Sequence, residues 1–420
     1  MKLAKNLLEE NKLKKILFIL ITMTFIFLAC NDENPVETTN NDIDYSNDIQ
    51  KVLSDAWNDF AKGKENLPGG FAMKILSSKG DYFSSTGELV NADENIHFRG
   101  ASTTKTFTAA AILLLYQQGK LSLNHCLTDI IPGSTKPYIP DTENFDIPFK
   151  DKITIKMLIQ NRGGIFDVIN QNIPDTVKAE YAGYRYYQWL QYVNGEDHTF
   201  TCEELTSIVA KHKIFQFEPG ECFQYSNTGF SLAGLIIERI SGVRFDEFIR
   251  ANFLIPNNLL DTSLPYLGTD KNLPEPAAKS YFYLNGEFEE HSVENISMDV
   301  AEGNLVTTPA NLALWIKKLL KGEAGVEKKY IDFIMKDCQP TFENHQFYGT
   351  GMVYTPGIGY GHNGGHGGYF TVMRYDPELD FAVALFTNVW DFGTFDIDMY
   401  EEIYVMYDVI NEIKNIMYEN

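Results

Sequence analysis

The sequence predicts an α/β (α+β) fold: a central antiparallel sheet flanked by helices, with an adjoining helical lobe. Two observations lead there. Short apolar and aromatic runs bounded by turn residues occur near both ends of the chain, at residues 71–76 and 82–85 and again at 349–354, 368–375 and 380–388. Between them, residues 132–310 read as mainly helical and irregular. Strands so far apart in sequence bury their apolar faces best in one shared sheet, which leaves the middle of the chain to form the lobe beside it.

The elements follow in order. Lys12, Lys14 and Lys15 precede an apolar run from Ile16 to Ala29. That run is short for a bilayer span, and the layout is that of a secretory signal peptide. It ends Phe27-Leu28-Ala29-Cys30, which resembles the lipobox of bacterial lipoproteins. The resemblance implies a signal peptide over residues 1–29, a lipidated Cys30 as mature N-terminus, and attachment to the cell envelope of a Gram-negative bacterium. Asn31-Asp32-Glu33 resembles the surface-export signal of some such lipoproteins. A plain cleavable signal and an uncleaved anchor are the alternatives. Residues 30–45 are polar and read as a flexible tether, and residues 46–420 as one domain.

Within that domain, Val52, Leu53, Ala56, Trp57 and Phe60 recur at helical spacing and predict a helix over residues 47–61. Two strands flank a Ser78-Lys79-Gly80 turn. A helix after Ser102 stops at Gln118-Gly119-Lys120, with glycine as its cap. Residues 401–417 read as a terminal helix.

A chain of 420 residues with 44% hydrophobic and 22% charged residues builds a sizeable core. Its net charge of −22 excludes a nucleic-acid partner, which needs a basic surface. Cys126, Cys202, Cys222 and Cys338 match no zinc spacing, and sequence does not choose between disulfides and buried thiols. Nothing points to a metal or other cofactor, and the oligomeric state is not legible.

The chemistry starts at Ser102-Thr-Thr-Lys105, the single Ser-x-x-Lys of the chain. Residues three apart on a helix share a face, so the Lys105 amine can reach the Ser102 hydroxyl. A serine is a weak nucleophile until a base takes its proton, and a buried lysine can serve. The first turn of a helix adds unpaired N–H groups that favour negative charge. A second element, Tyr225-Ser-Asn227, lies between a Pro-Gly turn and an apolar helix. A phenol held near a lysine and a serine can pass a proton to a leaving group, and an amide can bind a substrate carbonyl. A third element, His362-Asn363-Gly364-Gly365-His366-Gly-Gly368, opens a strand whose edge offers N–H groups to an oxyanion or an extended substrate. Two His-x-Gly registers compete in it.

The three elements in this order resemble the serine beta-lactamase and penicillin-binding superfamily, in its class C beta-lactamase-like branch. That branch includes D-alanyl-D-alanine carboxypeptidases, D-aminopeptidases and beta-lactamase-fold esterases. Two further stretches are similar to those of the family: Ile153-Thr154-Ile155 through Gly163-Gly164-Ile165, and Ala301-Glu-Gly303 through Ala313. The resemblance implies a beta-lactamase/transpeptidase-like fold and a serine hydrolase acting on an amide or ester through an acyl-enzyme. By it Ser102 is the nucleophile, Lys105 and Tyr225 share the proton work, and Asn227 contacts substrate. It favours His362-Asn363-Gly364 as the third motif, with the N–H groups of Ser102 and Gly365 as the oxyanion hole.

His362 stands where beta-lactamases carry lysine. A neutral histidine holds a substrate carboxylate poorly, so small neutral esters or amides are the expected substrates. The same reading expects that preference to relax in acid as His362 gains charge, and offers Arg162 or Arg374 as the other cations in reach. Asn161-Arg162-Gly163 also departs from the family's His-Thr-Ser. The aromatics of residues 166–200 either wall the cleft or pack the lobe. Other readings of the chain are a true beta-lactamase or carboxypeptidase, a cell-wall sensor with little turnover, and, more distantly, a metallohydrolase.

Overall fold

The computed structural model describes residues 43–341, 347–392 and 401–419. The expected signal peptide, Cys30 and nearly all of the tether lie outside the described residues.

Helix α1 (Ser46–Ala61) turns Ile49, Val52, Leu53, Trp57 and Phe60 inward, the stripe expected from their spacing. Strands β1 (Phe71–Ser77) and β2 (Gly80–Ser85) follow as a hairpin. Then come β3 (Phe98–Ala101) and α2 (Thr104–Gln117). The middle of the chain supplies α3 (Ile155–Ile159), α4 (Tyr186–Asn194), α5 (Cys202–His212), α6 (Asn227–Ser241) and α7 (Phe245–Ile249). It also supplies β4 (Tyr281–Leu284), β5 (Glu287–Glu290) and β6 (Leu305–Thr307). Helices α8 (Pro309–Lys321) and α9 (Lys328–Lys336) lead to β7 (Gln339–Pro340), β8 (Phe347–Tyr348) and β9 (Val353–Thr355). The chain closes with β10 (Gly359–His366), β11 (Tyr369–Asp376), β12 (Phe381–Thr387), β13 (Val389–Asp391) and α10 (Glu401–Tyr418).

Among the described residues the main sheet has eight strands in the order β2-β1-β12-β11-β10-β9-β8-β7. Each pairing is antiparallel. The two ends of the chain therefore share one sheet, as expected. Strand β12 shows why: it is buried along its whole length, and its side chains alternate between two cores. Phe381, Val383 and Leu385 face the core that α1 and α10 cover. Ala382, Ala384 and Phe386 face the core shared with α2, α8 and the helical lobe. In that second core Phe107 of α2 stacks on Trp315 of α8, ring centres 3.8 Å apart.

Three expectations need correction. The run 349–354 is not one strand. Gly349 N–H closes a turn onto the Met352 carbonyl, and Gly351 takes a left-handed φ of +60° between β8 and β9. The His/Gly run does not merely open the next strand: it lies within β10, and Gly367-Gly368, both left-handed, make the turn into β11. The middle of the chain is not only helical and irregular. Strands β4 and β5 form a hairpin on Asn285-Gly286, a turn signal the sequence carried plainly.

The lobe aromatics pack on one another. The Tyr181 ring centre lies 5.3 Å from Tyr186 and 5.1 Å from Trp189, while Tyr184 and Tyr192 are exposed. Cys126, Cys202, Cys222 and Cys338 are all free thiols. Among the described residues no helix is long and apolar enough to cross a membrane.

Candidate active site

Ser102 sits on an elbow between β3 and α2. Ala101, just before it, has φ +47°, a left-handed conformation that a residue with a Cβ adopts only when its surroundings impose it. The surroundings are on the far side of the turn. Thr103 Oγ1 donates to the Gly100 carbonyl at 2.8 Å and Thr104 Oγ1 to the Ala101 carbonyl at 2.7 Å. Leu305 N–H on β6 donates to Thr104 Oγ1 at 3.0 Å. The elbow is thus clamped while Ser102 itself stays partly exposed. Ser102 precedes the helix rather than standing in its first turn, yet Lys105 still reaches it.

Lys105 is fully buried. Its Nζ lies 3.0 Å from Ser102 Oγ, 2.7 Å from Asn227 Oδ1, 2.7 Å from the Glu302 carbonyl and 3.0 Å from Glu302 Oε2. Even an ammonium has three protons for these four oxygens. One contact must be shared or reversed, and only the Ser102 hydroxyl or a protonated Glu302 has a proton to give back. Tyr225 OH donates to Ser102 Oγ at 2.9 Å, and its ring centre lies 4.8 Å from Lys105 Nζ. Tyr225 is on the connector into α6, and Asn227 is that helix's first residue. Asn161 braces the connector, its Oδ1 accepting from Ser226 N–H at 3.1 Å and its carbonyl from Gln224 N–H. The departure at Asn161 thus has a task in this chain.

Strand β10 brings in the third element. Strand β9 pairs only with Gly359, Tyr360 and Gly361, so the β10 edge beyond them carries no strand partner on that side among the described residues. Gly364 lies against Gly100, and Gly365 is exposed. His362 is buried beside Tyr225 and Tyr348, with Nε2 3.2 Å from Tyr348 OH and Nδ1 2.5 Å from the Asn363 carbonyl. Burial first, then the Lys105 charge, push its pKa down to about 3. His362 therefore stays neutral in mild acid, which overturns the expectation that it gains charge there.

Asn363 faces the other side of the sheet. Its Oδ1 accepts from Arg374 Nη2 at 2.8 Å and from Tyr407 OH at 3.1 Å. The structure does not bring this side chain to Ser102. Arg374 is buried on the same contacts and is no candidate for a substrate carboxylate.

His366, on the same face of β10 as His362, serves a cluster that the sequence reading missed. Its Nε2 is 2.6 Å from Asp299 Oδ2 and its Nδ1 3.3 Å from Glu294 Oε2. Burial disfavours the charged ring, but Glu294 and Asp299 outweigh it and raise its pKa to about 10. Burial likewise opposes ionised Asp299, but His366 more than offsets it and the Asp299 pKa is lowered. Glu302 differs: burial drives its pKa well above the usual carboxyl range, against the pull of Lys105. The one signal that could have found these groups is their density, with Glu294, Asp299 and Glu302 within nine residues. Each histidine nitrogen faces its own partner, and no group of three or more His, Cys, Asp or Glu is placed to hold a metal ion among the described residues.

The Beta-lactamase family model matches residues 58–404. A 260-residue stretch is 26% identical to protein flp of Staphylococcus aureus, covering 60% of this chain and 46% of the relative. The chain thus spans about half of that relative's length. Among solved structures, the D-amino acid amidase of Ochrobactrum anthropi SV3, in complex with L-phenylalanine amide, superposes with a TM-score of 0.69 at 22% identity, over 89% of this chain and 99% of the amidase. A D-stereospecific amidohydrolase from Streptomyces sp. superposes with a TM-score of 0.65 at 22% identity, over 81% of this chain and 93% of its own.

Proposed function

We propose that this chain, which belongs to the Beta-lactamase family, is a serine hydrolase that cleaves an amide or ester through an acyl-enzyme on Ser102. The observation that carries this is the convergence of Lys105 Nζ and Tyr225 OH on Ser102 Oγ, at 3.0 and 2.9 Å. These are hydrogen-bond distances, short enough for proton transfer without rearrangement.

In acylation the Lys105–Tyr225 pair takes the Ser102 proton as Oγ attacks the substrate carbonyl. The oxyanion lodges on the N–H groups of Ser102 and Gly365, at the open edge of β10. The same pair gives the proton to the leaving amine or alcohol. Water then repeats the steps in reverse and frees the acid. Asn227 Oδ1 accepts from Lys105 Nζ at 2.7 Å, so its amide also acts through the lysine.

The preferred substrate is a small neutral amide or ester, such as an amide of an amino acid. Neutral His362 supplies no charge for a carboxylate, and the solved structures of similar fold include a D-amino acid amidase. The enzyme works outside the cytoplasm, held to the envelope by lipid on Cys30.

A serine-directed phosphonate should label the purified protein, and Ser102→Ala should abolish the labelling. Labelling of Ser102→Ala at the wild-type rate would refute the acyl-enzyme. For the anchor, expression in a Gram-negative host followed by intact-mass measurement should show a lipid on Cys30 that Cys30→Ala lacks; an unmodified Cys30 in the mature protein would refute it.

A further inference from the structure

Among the described residues Glu302 is the acid that touches Lys105 Nζ directly, and the acyl-enzyme scheme gives it no task. It is 2% exposed, and both its carbonyl and its Oε2 accept from Lys105 Nζ. Among the described residues no N–H or O–H donor is aimed at its Oε1. What faces Glu302 instead is a second buried carboxyl, Asp299. Two carboxylates side by side in a buried place do not both ionise, and a proton between them settles on one.

The neighbours decide which. Asp299 has His366 at 2.6 Å, and that ring is held cationic by Glu294 behind it. Among the described residues Glu302 has only Lys105 as a cation, and Lys105 must be uncharged for part of the catalytic cycle. An ionised Glu302 would then be left without a counter-ion in a dry site. It would also hold Lys105 as an ammonium and prevent it from taking the serine proton. Among the described residues the other groups that act on Lys105 include Asn227 and Tyr225 at the start of α6, Ser102, His362 on β10, Tyr348 on β8, and the buried acids Asp167 and Asp299.

We propose that Glu302, as the neutral acid, is the positioning residue for Lys105: Oε2 accepts a Lys105 N–H while the carboxyl proton on Oε1 goes to Asp299. This rests on the reading of Lys105 as a carrier of the Ser102 proton. Glu302 gains and loses no proton in the cycle; it orients the amine and adds no negative charge.

The test uses the full chain, a nitrophenyl ester, and Glu302→Gln beside Glu302→Ala. Glutamine copies the neutral acid, because its carbonyl accepts from Lys105 and its NH2 donates to Asp299. Phosphonate labelling of Ser102 counts the folded, competent sites in every sample. Glu302→Gln should keep kcat within about threefold and leave the acidic limb of kcat/KM in place, since the lysine's surroundings keep their charge. Glu302→Ala should lower kcat by about tenfold or more with little change in KM. Its acidic limb should move down, because the ammonium has lost an acceptor. A purely structural role would lower kcat without moving the limb. The proposal is overturned if Glu302→Gln loses as much rate as Glu302→Ala or moves the limb further down, since Glu302 would then act as an anion. It is equally overturned if Glu302→Ala changes neither rate nor limb. If Glu302→Ala does not fold, the glutamine variant decides alone. Wild-type protein that the phosphonate fails to label would instead refute the hydrolase reading, before any Glu302 variant is assayed.

Discussion

A Cβ placed on Gly364 would stand 2.3 Å from the Gly100 carbonyl oxygen and 3.2 Å from the Ala101 Cβ. Gly364 is therefore the residue that lets β10 approach the elbow carrying Ser102, and the approach sets the width of the cleft between the serine and the strand edge. Gly364→Ala should force the two backbones apart. We expect a loss of roughly 1–3 kcal/mol in stability from the overpacking, and a fall of about a hundredfold in the acylation rate from the displaced serine. Thermal melts and stopped-flow phosphonate labelling measure the two separately. An alanine variant that labels at the wild-type rate would mean the contact is not needed for the chemistry.

Lys105 and Tyr225 meet on one oxygen, so they should behave as one proton-transfer unit. Lys105→Ala and Tyr225→Phe should each cost on the order of a hundredfold or more in the acylation rate of an ester. The double variant should be little worse than the worse single one, because members of a catalytic unit are strongly non-additive. A double-mutant cycle reads this directly; losses that multiply in full would assign the two groups to separate steps.

Much of this site was legible because its chemistry is local in sequence. Ser102 and Lys105 are one helical turn apart, and Tyr225 and Asn227 stand at a helix start that a Pro-Gly turn and an apolar run mark out among the chain's other Tyr-x-Asn matches. The sheet was legible for a similar reason, since the strands near each end carry apolar runs with turn residues between them. Glu302, Asp299 and Asn161 were not legible. Their roles depend on which backbones the topology sets side by side, and no period in the sequence reports that Glu302 meets a lysine 197 positions away. Asn363 misled for a different reason. A strand alternates its faces, so a three-residue motif on β10 sends its central side chain away from the site and toward Arg374 and Tyr407.

The neutrality of His362 gives a pH prediction that differs from the sequence expectation. With its pKa pushed down to about 3 by burial and Lys105, the ring carries no charge anywhere between pH 5 and pH 8. The ratio of kcat/KM for a neutral ester over its carboxylate-bearing analogue should then stay constant within about twofold across that range. The two substrates share every ionisation of the enzyme that affects the chemistry, so the ratio isolates the binding cation. A ratio that falls several-fold from pH 8 to pH 5 would show that a group near the site gains charge there, and His362 would be the first suspect.

His366 should make the stability of the fold depend on pH from the opposite side. Its folded pKa is raised to about 10 by Glu294 and Asp299 against the cost of burial, while an unfolded histidine titrates near 6.5. A base whose folded pKa is raised contributes its full stability below the unfolded value, and loses it as pH rises through the folded one. The contribution should therefore be complete at pH 6, shrink from about pH 6.5 upward, and be gone above about pH 10. His366→Gln removes the cation and leaves Asp299 and Glu294 facing one another without it. At pH 6 the variant should be less stable than wild type by about 3 kcal/mol, the usual cost of breaking a buried pair. At pH 10 the wild-type ring is about half discharged, and the difference should have shrunk to a few tenths of a kcal/mol. Paired denaturant melts at pH 6, 8 and 10 measure the gap, and other groups that titrate near pH 10 cancel in the difference. A gap that stays constant across the series would mean that His366 contributes by packing, and that Asp299 is kept ionised by something other than this ring.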